Sequence, residues 1–391
     1  MTTPKFRIII VGLGLIGPRH AQSVQSHPAT ELVAFIDPSP SAQAIGKEFG
    51  VPVYSSLDDL LSASTSEGQG GNGGGKPDAA VICTPNHTHI PLTLDLLKRG
   101  IKNILLEKPI SDSIDTTIPL LSALRDPLNA DARILVGHHR RFNPYSLSLK
   151  SLLKSGELGS ILGVSGLWTL LKPISYFKDI GEWRSQRGKG GVLGINLIHD
   201  VDLLQFLFGS IIRVYAEESS PQRSQQSGNE NEHTAEEGVA LTLRFASGIV
   251  GTFLVNDTTP SPWTFEVGTG ENPNVKGVLG ESDGSRDCYR IFGTRGSVSF
   301  PDLTVFKYAS TSGDEHGCGK EAGWNIPLSA TKLPVHGKEV KPFDTQWGHF
   351  VRVIEGKEEV NCSVEDGVRA LRVVGAVRES MESGRAVTIE A

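Results

Sequence analysis

Phe6-Arg-Ile-Ile-Ile-Val-Gly-Leu-Gly-Leu-Ile-Gly17 decides how the first third of the chain is read. An apolar run of strand length leads straight into Gly12-Leu13-Gly14-Leu15-Ile16-Gly17, and a helix-length segment, Gly17–Ser26, follows. A strand, a glycine turn and a helix in that order form a phosphate cradle. Gly12 permits the tight turn, Gly14 lets the backbone approach a pyrophosphate, and Gly17 allows close packing of helix on strand. The helix N-terminus offers N–H groups and the positive end of its dipole to the phosphates. Asp37 ends the next strand, where a carboxylate can hold both ribose hydroxyls. Pro38-Ser39-Pro40 supplies no cation for a 2′-phosphate, so NAD is expected as the cofactor and NADP is the less favoured form. The competing reading is a glycine-rich turn that binds no nucleotide.

Outward from this turn, apolar runs continue at Leu32–Ile36, Ala79–Cys83, Ile104–Glu107 and Ile134–Val136. They alternate with helical stretches at Ser41–Phe49, Leu57–Leu61, His89–Arg99 and Asp115–Leu124. Alternation with runs buried on both faces implies an α/β unit with a doubly wound parallel sheet over residues 1–137. From residue 138 the texture changes to a helix at Pro144–Lys154 and longer strands at Ile161–Leu171, Ile211–Ala216, Val239–Phe245, Ile249–Val255, Tyr289–Phe292, Ser297–Phe300 and Leu303–Lys307. Hairpin turns are expected at 245–249 and 293–296, and helices at Val192–Phe208, Phe343–Ile354 and Glu365–Met381. Residues 138–391 therefore read as an α+β domain on an open, mostly antiparallel sheet. Segments 64–76, 217–237 and 310–323 are Gly-rich or polar and read as solvent-exposed insertions.

The chain has 391 residues, a size that suggests two domains. With 38 Lys+Arg against 44 Asp+Glu and no block of like charge, a nucleic-acid partner is disfavoured. No apolar run is long enough to span a membrane, and the first residues are too short for a signal-peptide core. Cys83, Cys288, Cys318 and Cys362 are scattered, which suggests neither disulfides nor a metal site. A soluble, cytoplasmic protein is expected.

Cys83-Thr84-Pro85-Asn86 lies where the carboxyl ends of the strands face a cofactor crevice, and its small polar residues suit contact with a dinucleotide. His87 and His89 follow; each is a ligand contact or a solvated loop histidine. Glu107-Lys108-Pro109 ends another strand. A lysine there would face the cofactor partly desolvated, which lowers its pKa towards the range useful for proton transfer. Its peptide bond to Pro109 is a candidate for the cis form.

Glu107-Lys108-Pro109, Val136-Gly-His-His-Arg-Arg-Phe-Asn-Pro144, Gly190-Gly-Val-Leu-Gly-Ile-Asn-Leu-Ile-His199 with Asp202, and the closing Val364-Glu-Asp-Gly-Val-Arg-Ala-Leu-Arg-Val-Val resemble, in that order, the glucose–fructose oxidoreductase / inositol dehydrogenase / MocA family. The resemblance covers nearly the whole chain apart from the three insertions. It implies a dinucleotide domain followed by an open-faced sheet domain. It also implies NAD(P)-dependent oxidation of a sugar, cyclic polyol or related hydroxyl compound, in homodimers or homotetramers built through that sheet. Lys108 and His199 would handle the proton and converge on one substrate carbon beside the pyridine ring. Gly12, Leu13, Gly14, Leu15, Ile16, Asp37, Thr84, Pro85, Asn86, His89, Glu107 and Lys108 would line the cofactor. Asn196, Lys172, Tyr176, Trp183 and Arg184 would meet the hydroxylated substrate, the last two as an aromatic face beside a guanidinium. No metal is expected.

One departure stands out. Many relatives carry an aspartate four residues before the histidine; this chain has Ile195 there, with Asn196 next. Asp202 is read as orienting the imidazole or packing against the cofactor domain, Asp200 as structural, and Arg140, Arg141 and Asn143 as a buttress of the cleft between domains. Trp347 and His349 read as core or interdomain residues. Two alternatives remain: a hydrolase or epimerase that uses tightly bound NAD for transient oxidation, or a non-catalytic, NAD-sensing regulator of the same fold. Free NADH accumulating on turnover separates the first alternative from a dehydrogenase, and full biological effect after loss of Lys108 would favour the second.

Overall fold

The computed structural model describes residues 4–66, 75–227, 233–279, 286–308 and 323–390. The chain forms two compact units, Met1–His139 with Pro342–Leu371, and Arg140–Lys341 with Arg372–Ala391.

The first unit holds the parallel sheet, with strands β1 (Phe6–Val11), β2 (Thr30–Ile36), β3 (Val53–Tyr54), β4 (Ala79–Ile82), β5 (Asn103–Leu106) and β6 (Arg133–Val136) in the order β3-β2-β1-β4-β5-β6. The order reverses at β1/β4, which places the carboxyl ends of these strands beside the glycine turn, as in dinucleotide-binding sheets. Ile8, Ile9 and Ile10 are wholly buried, as continuous β-branched runs are when both faces are covered. The covering helices are α1 (Gly17–Ser26), α2 (Ala42–Phe49), α3 (Leu57–Ser66), α4 (His89–Lys98) and α5 (Ile118–Ala123). Helix α3 runs past the expected Leu61 end into the segment beginning at 64; residues 67–74 of that segment lie outside the described residues.

In the second unit, α6 (Pro144–Lys154) begins at the cap Asn143, whose side chain accepts from Tyr145 N. Strand β7 (Ile161–Thr169) follows. The expected single helix over 192–208 is instead a π-turn at Leu193–Leu197 followed by α7 (Ile198–Phe208). Next come β8 (Ile211–Glu218), α8 (Arg223–Ser227), β9 (Gly238–Phe245), β10 (Val250–Asn256), α9 (Phe265–Thr269), β11 (Tyr289–Gly293), β12 (Ser297–Phe300), β13 (Thr304–Tyr308) and β14 (Leu328–Lys332). These strands and β15 (Val387–Thr388) form one sheet in the order β14-β13-β12-β11-β7-β10-β9-β8-β15. Its pairings are antiparallel except β7 with β10. Both hairpins expected from the sequence are present, closed by Phe245 N–H to Ile249 O and Gly293 N–H to Gly296 O, each 2.9 Å.

The reading of 217–237 as an exposed insertion is corrected. Arg223, Glu236 and Glu237 are buried, because Arg223 pairs with Asp257 and Glu237 accepts from the Gln222 and Arg223 backbone N–H groups. A polar composition had hidden an internal charge network. Of segment 310–323, only Gly323 is described.

Helix α10 (Pro342–Ile354) belongs to the first unit. Its Trp347 indole donates to Thr30 Oγ1, and Asp344 accepts from Ser23 Oγ at 2.6 Å. Val136 N–H donates to Cys362 O at 2.9 Å, and Gly367, in α11 (Val364–Ser383), lies so close to Ile110 and Val136 that a Cβ would stand 3.2 Å from each.

Candidate active site

The glycine turn is built tightly against the protein at two of its three glycines. Gly12 adopts φ +94°, and a Cβ there would lie 2.8 Å from the Cys83 backbone carbonyl. A Cβ on Gly17 would lie 2.3 Å from Gly12 O. Gly14 differs, since among the described residues a Cβ there meets no atom within 4 Å. None of the described residues requires glycine at 14, whereas a pyrophosphate passing over the turn would. The side chain of Ile16, the N-cap of α1, makes no capping hydrogen bond, and no acidic residue occupies the first turn, so this helix start keeps its positive character. Leu13 is buried and Leu15 is exposed.

Asp37 organises the same loop. Its carboxylate accepts from Leu13 N at 2.7 Å and Ser39 N at 2.8 Å, which locks the glycine turn to the end of β2. Each carboxylate oxygen has a second lone pair for a ribose hydroxyl. These residues fit a dinucleotide, and Gly14→Ala tests the fit. It is expected to leave the melting temperature unchanged while weakening NADH binding at least about tenfold, measured by quenching of protein fluorescence; equal losses of stability and binding would contradict it.

The second loop, after β4, is pinned by side chains. Thr88 Oγ1 lies 2.6 Å from Thr84 Oγ1 and 2.7 Å from Pro85 O, closing the turn around Asn86. His89 is buried, and each ring nitrogen faces a backbone carbonyl, Nδ1 that of Pro109 at 2.9 Å and Nε2 that of Thr84 at 2.8 Å. Sequence reasoning set His89 against the cofactor; the structure gives it the position of a strap between two loops. Burial pushes its pKa down, against the pull of those carbonyls.

Lys108 follows β5, and the Lys108–Pro109 peptide is cis. Glu107 beneath it is buried. Its Oε1 meets His20 Nε2 at 2.8 Å, and its Oε2 accepts from Lys108 N at 3.1 Å. Gly137 permits this, because a Cβ there would stand 2.9 Å from Glu107 Oε1. His20, buried on α1, carries no signal in a motif scan, and only its pairing with Glu107 reveals it. Burial pushes the Glu107 carboxyl up, but the hydrogen bond and charge of His20, with Lys108 and His139, outweigh burial and hold it below its ordinary 4.5. The stability it contributes is therefore present at neutral pH and is lost as pH falls from 4.5 through that depressed value. Glu107→Gln is expected to flatten the acid limb of the unfolding curve, followed by circular dichroism; an unchanged limb would show that Glu107 contributes nothing there.

In the second unit, the π-turn carries Asn196 and leads into His199 on α7, both nearly buried. Such turns recur where a helix must aim a functional side chain. Lys172 Nζ donates to Asn196 Oδ1 at 2.6 Å and lies 4.9 Å from the centroid of the Tyr176 ring. Arg184 stacks on the other partners, 4.3 Å from the Tyr176 centroid and 5.4 Å from that of the half-exposed Trp183. The structure thus brings Lys172, Tyr176, Trp183, Arg184 and Asn196 into one cluster. Asp202 is engaged by Arg141, Nη2 to Oδ1 at 2.6 Å and Nε to Oδ2 at 2.9 Å, so its carboxylate serves a buried ion pair. Among the described residues no group of three or more His, Cys, Asp or Glu side chains could hold a metal.

The oxidoreductase-family models for the NAD-binding Rossmann fold and for the C-terminal alpha/beta domain match residues 6–127 and 150–389. The chain belongs to this glucose–fructose oxidoreductase / inositol dehydrogenase / MocA oxidoreductase family, with a nucleotide-binding first domain. Inositol 2-dehydrogenase of Rhizobium meliloti is 23% identical over 390 residues, covering 98% of this chain and 99% of that protein. The uncharacterised oxidoreductase YrbE of Bacillus subtilis is 25% identical over 97% of this chain and 96% of its own length. Among solved structures, the WlbA dehydrogenase of Bordetella pertussis, crystallised with NADH and UDP-GlcNAcA, aligns with a TM-score of 0.71 at 22% identity over 99% of both chains. That likeness establishes the fold. No helix among the described residues is long and apolar enough to cross a membrane.

Proposed function

We propose that this protein is an NAD-dependent dehydrogenase that oxidises the CH–OH group of a sugar, cyclic polyol or related hydroxylated compound, with Lys108 and His199 handling the proton. The observation that carries this reading is the support built around Lys108. Glu107 holds its backbone N–H, His20 holds Glu107, and His89 straps Pro109 to the Thr84 loop. Such fixation of one lysine at the carboxyl edge of a parallel sheet is what proton transfer to or from a positioned hydroxyl requires.

Gly12, Leu13, Gly14, Leu15 and Ile16 would hold the pyrophosphate and Asp37 the ribose, with Thr84, Pro85 and Asn86 bordering the dinucleotide; the bound nicotinamide supplies a hydride acceptor. NAD is favoured over NADP because a 2′-phosphate would meet the Asp37 carboxylate without a cation at 38–40. Lys108 and His199 hold or release the hydroxyl proton, while Asn196, Lys172, Tyr176, Trp183 and Arg184 orient the substrate. In this reading residues 1–137 bind the nucleotide, and residues 138–391 bind substrate and build the oligomer.

Homodimers or homotetramers would form through the open sheet face. There Val250 and Leu254 of β10 and Phe292 of β11 are exposed between polar neighbours, which suits a second copy. The thiols of Cys83 and Cys288 suit the reducing cytoplasm. The name of the Rhizobium relative extends the proposal towards inositols as one substrate class. The test is absorbance at the NADH wavelength while sugars, inositols and hydroxy acids are offered with NAD and with NADP. Reduced nucleotide accumulating with NAD is expected; none with any substrate, or with NADP only, would overturn the proposal.

A further inference from the structure

The predicted substrate residues of the second unit form a cluster that presents hydrogen-bond donors and positive charge. Lys172 is about nine-tenths buried, and its ammonium donates to Asn196 Oδ1 and pairs with Asp257 Oδ2 at 3.2 Å. The Tyr176 ring receives two cations, Lys172 and Arg184. A third, Arg223, lies 4.1 Å from the centroid of the adjacent Phe177 ring and donates to Asp257 Oδ1 at 2.6 Å. Two of these cations, Lys172 and Arg223, therefore share one carboxylate, Asp257.

Two of the other acids nearby, Glu237 and Glu266, are already committed. Glu237 accepts from the backbone N–H of Gln222 and Arg223. Glu266 pairs with Arg140 and accepts from the Trp168 indole. Position 195, one turn before His199, is isoleucine. Asn196 adds donors. An ammonium offers only protons, so the atom facing Lys172 must be the amide oxygen, and the NH2 group is turned the other way. An ammonium has three protons, and Lys172 has two hydrogen-bonding partners among the described residues.

A neutral polyol needs acceptors as well as donors, because every hydroxyl brings a proton to place. A carboxylate is acceptor-only and takes donors on both oxygens. We infer that this cluster selects a substrate bearing a carboxylate, an acidic sugar or polyhydroxy acid, bound by Lys172, Asn196 and Arg184. The inference rests on the dehydrogenase reading, which it narrows from hydroxylated compounds to hydroxylated anions.

The test pairs acids with uncharged counterparts: D-glucuronate with D-glucose, D-galacturonate with D-galactose, and D-gluconate and L-tartrate with myo-inositol. Each is titrated onto the protein with and without NADH by calorimetry, and each is assayed for NADH formation from NAD. At least one acid is expected to bind about 30-fold or more tightly than its neutral partner. Lys172→Met should abolish that preference with NADH binding intact. Asn196→Asp keeps the size of the side chain and turns donors into an acceptor, so it should weaken acids and favour neutral sugars even if Lys172→Met fails to fold. No acid bound by the wild type, neutral compounds bound or oxidised as well as acids, or selectivity surviving in both variants would overturn the inference. NADH formation from a neutral polyol alone would do so while leaving the dehydrogenase reading intact. Acid binding abolished in Lys172→Met, in a protein that binds no NADH, would support the cluster and overturn the dehydrogenase reading.

Discussion

Lys108→Met is expected to lower kcat by about 10²–10⁴-fold, the usual worth of a positioned general acid or base, while NADH affinity changes by no more than about threefold. The two effects separate because the backbone at 108 is held by groups the substitution leaves in place. The carboxylate of Glu107 accepts the Lys108 N–H, and His89 anchors the Pro109 carbonyl. Removing the ammonium therefore takes away a proton carrier and leaves the loops beside it where they are. Single-turnover NADH formation and fluorescence titration of NADH read the two quantities independently. A kcat within about threefold of wild type would exclude Lys108 from proton transfer.

Arg140→Leu is expected to destabilise the second unit by about 3–5 kcal/mol at neutral pH, the cost of stranding buried carboxylates. The guanidinium is fully buried over the Phe265 ring, 4.4 Å from its centroid, and meets Asp200 Oδ1 at 3.0 Å, Glu266 Oε1 at 2.7 Å and Glu271 Oε1 at 3.5 Å. Burial pushes the Asp200 carboxyl up to about 6, against the opposing pull of Arg140 and of the Tyr289 hydroxyl that donates to it. A raised carboxyl pKa means that the folded protein binds that proton more tightly than the unfolded chain. The associated stability is full below the ordinary value of 3.8 and is lost as pH rises through about 6. Without Arg140 the carboxyl rises further, so the deficit of the variant should shrink between pH 7.5 and 5, and Asp200→Asn in the Arg140→Leu background should restore part of it. Denaturant titrations at the two pH values check this; a deficit independent of pH would mean that the carboxylates are not what Arg140 neutralises.

Local rules made half of this site legible. The glycine turn, Asp37 and the strand-end Lys108 are each specified by neighbours within a few residues, so period and spacing expose them. The partners that make those residues work lie far along the chain. His20 and Glu107 are 87 residues apart, and Arg140 and Asp200 are 60 apart. Burying a charge needs a partner, and nothing local names it. The same reason explains the misreading of 217–237, where Arg223 and Glu237 look like solvated polar residues until Asp257 and the backbone of α8 are placed beside them. Strands β3, β14 and β15 escaped notice because two residues, or five exposed ones, carry too little apolar alternation to announce a strand. The π-turn at Leu193–Leu197 was invisible for the opposite reason, since one inserted residue leaves the helical pattern around it intact.

The first unit is assembled from two stretches of sequence separated by some two hundred residues, since Pro342–Leu371 belongs with Met1–His139. During translation the nucleotide-binding half would emerge early yet lack α10, the carbonyl that receives the Val136 N–H, and the glycine packed on Ile110. It must wait on the ribosome, incomplete, while the intervening polypeptide is made. At about 5–20 residues per second that delay lasts on the order of ten seconds or more, a window in which nascent-chain chaperones have an unfinished hydrophobic surface to shield.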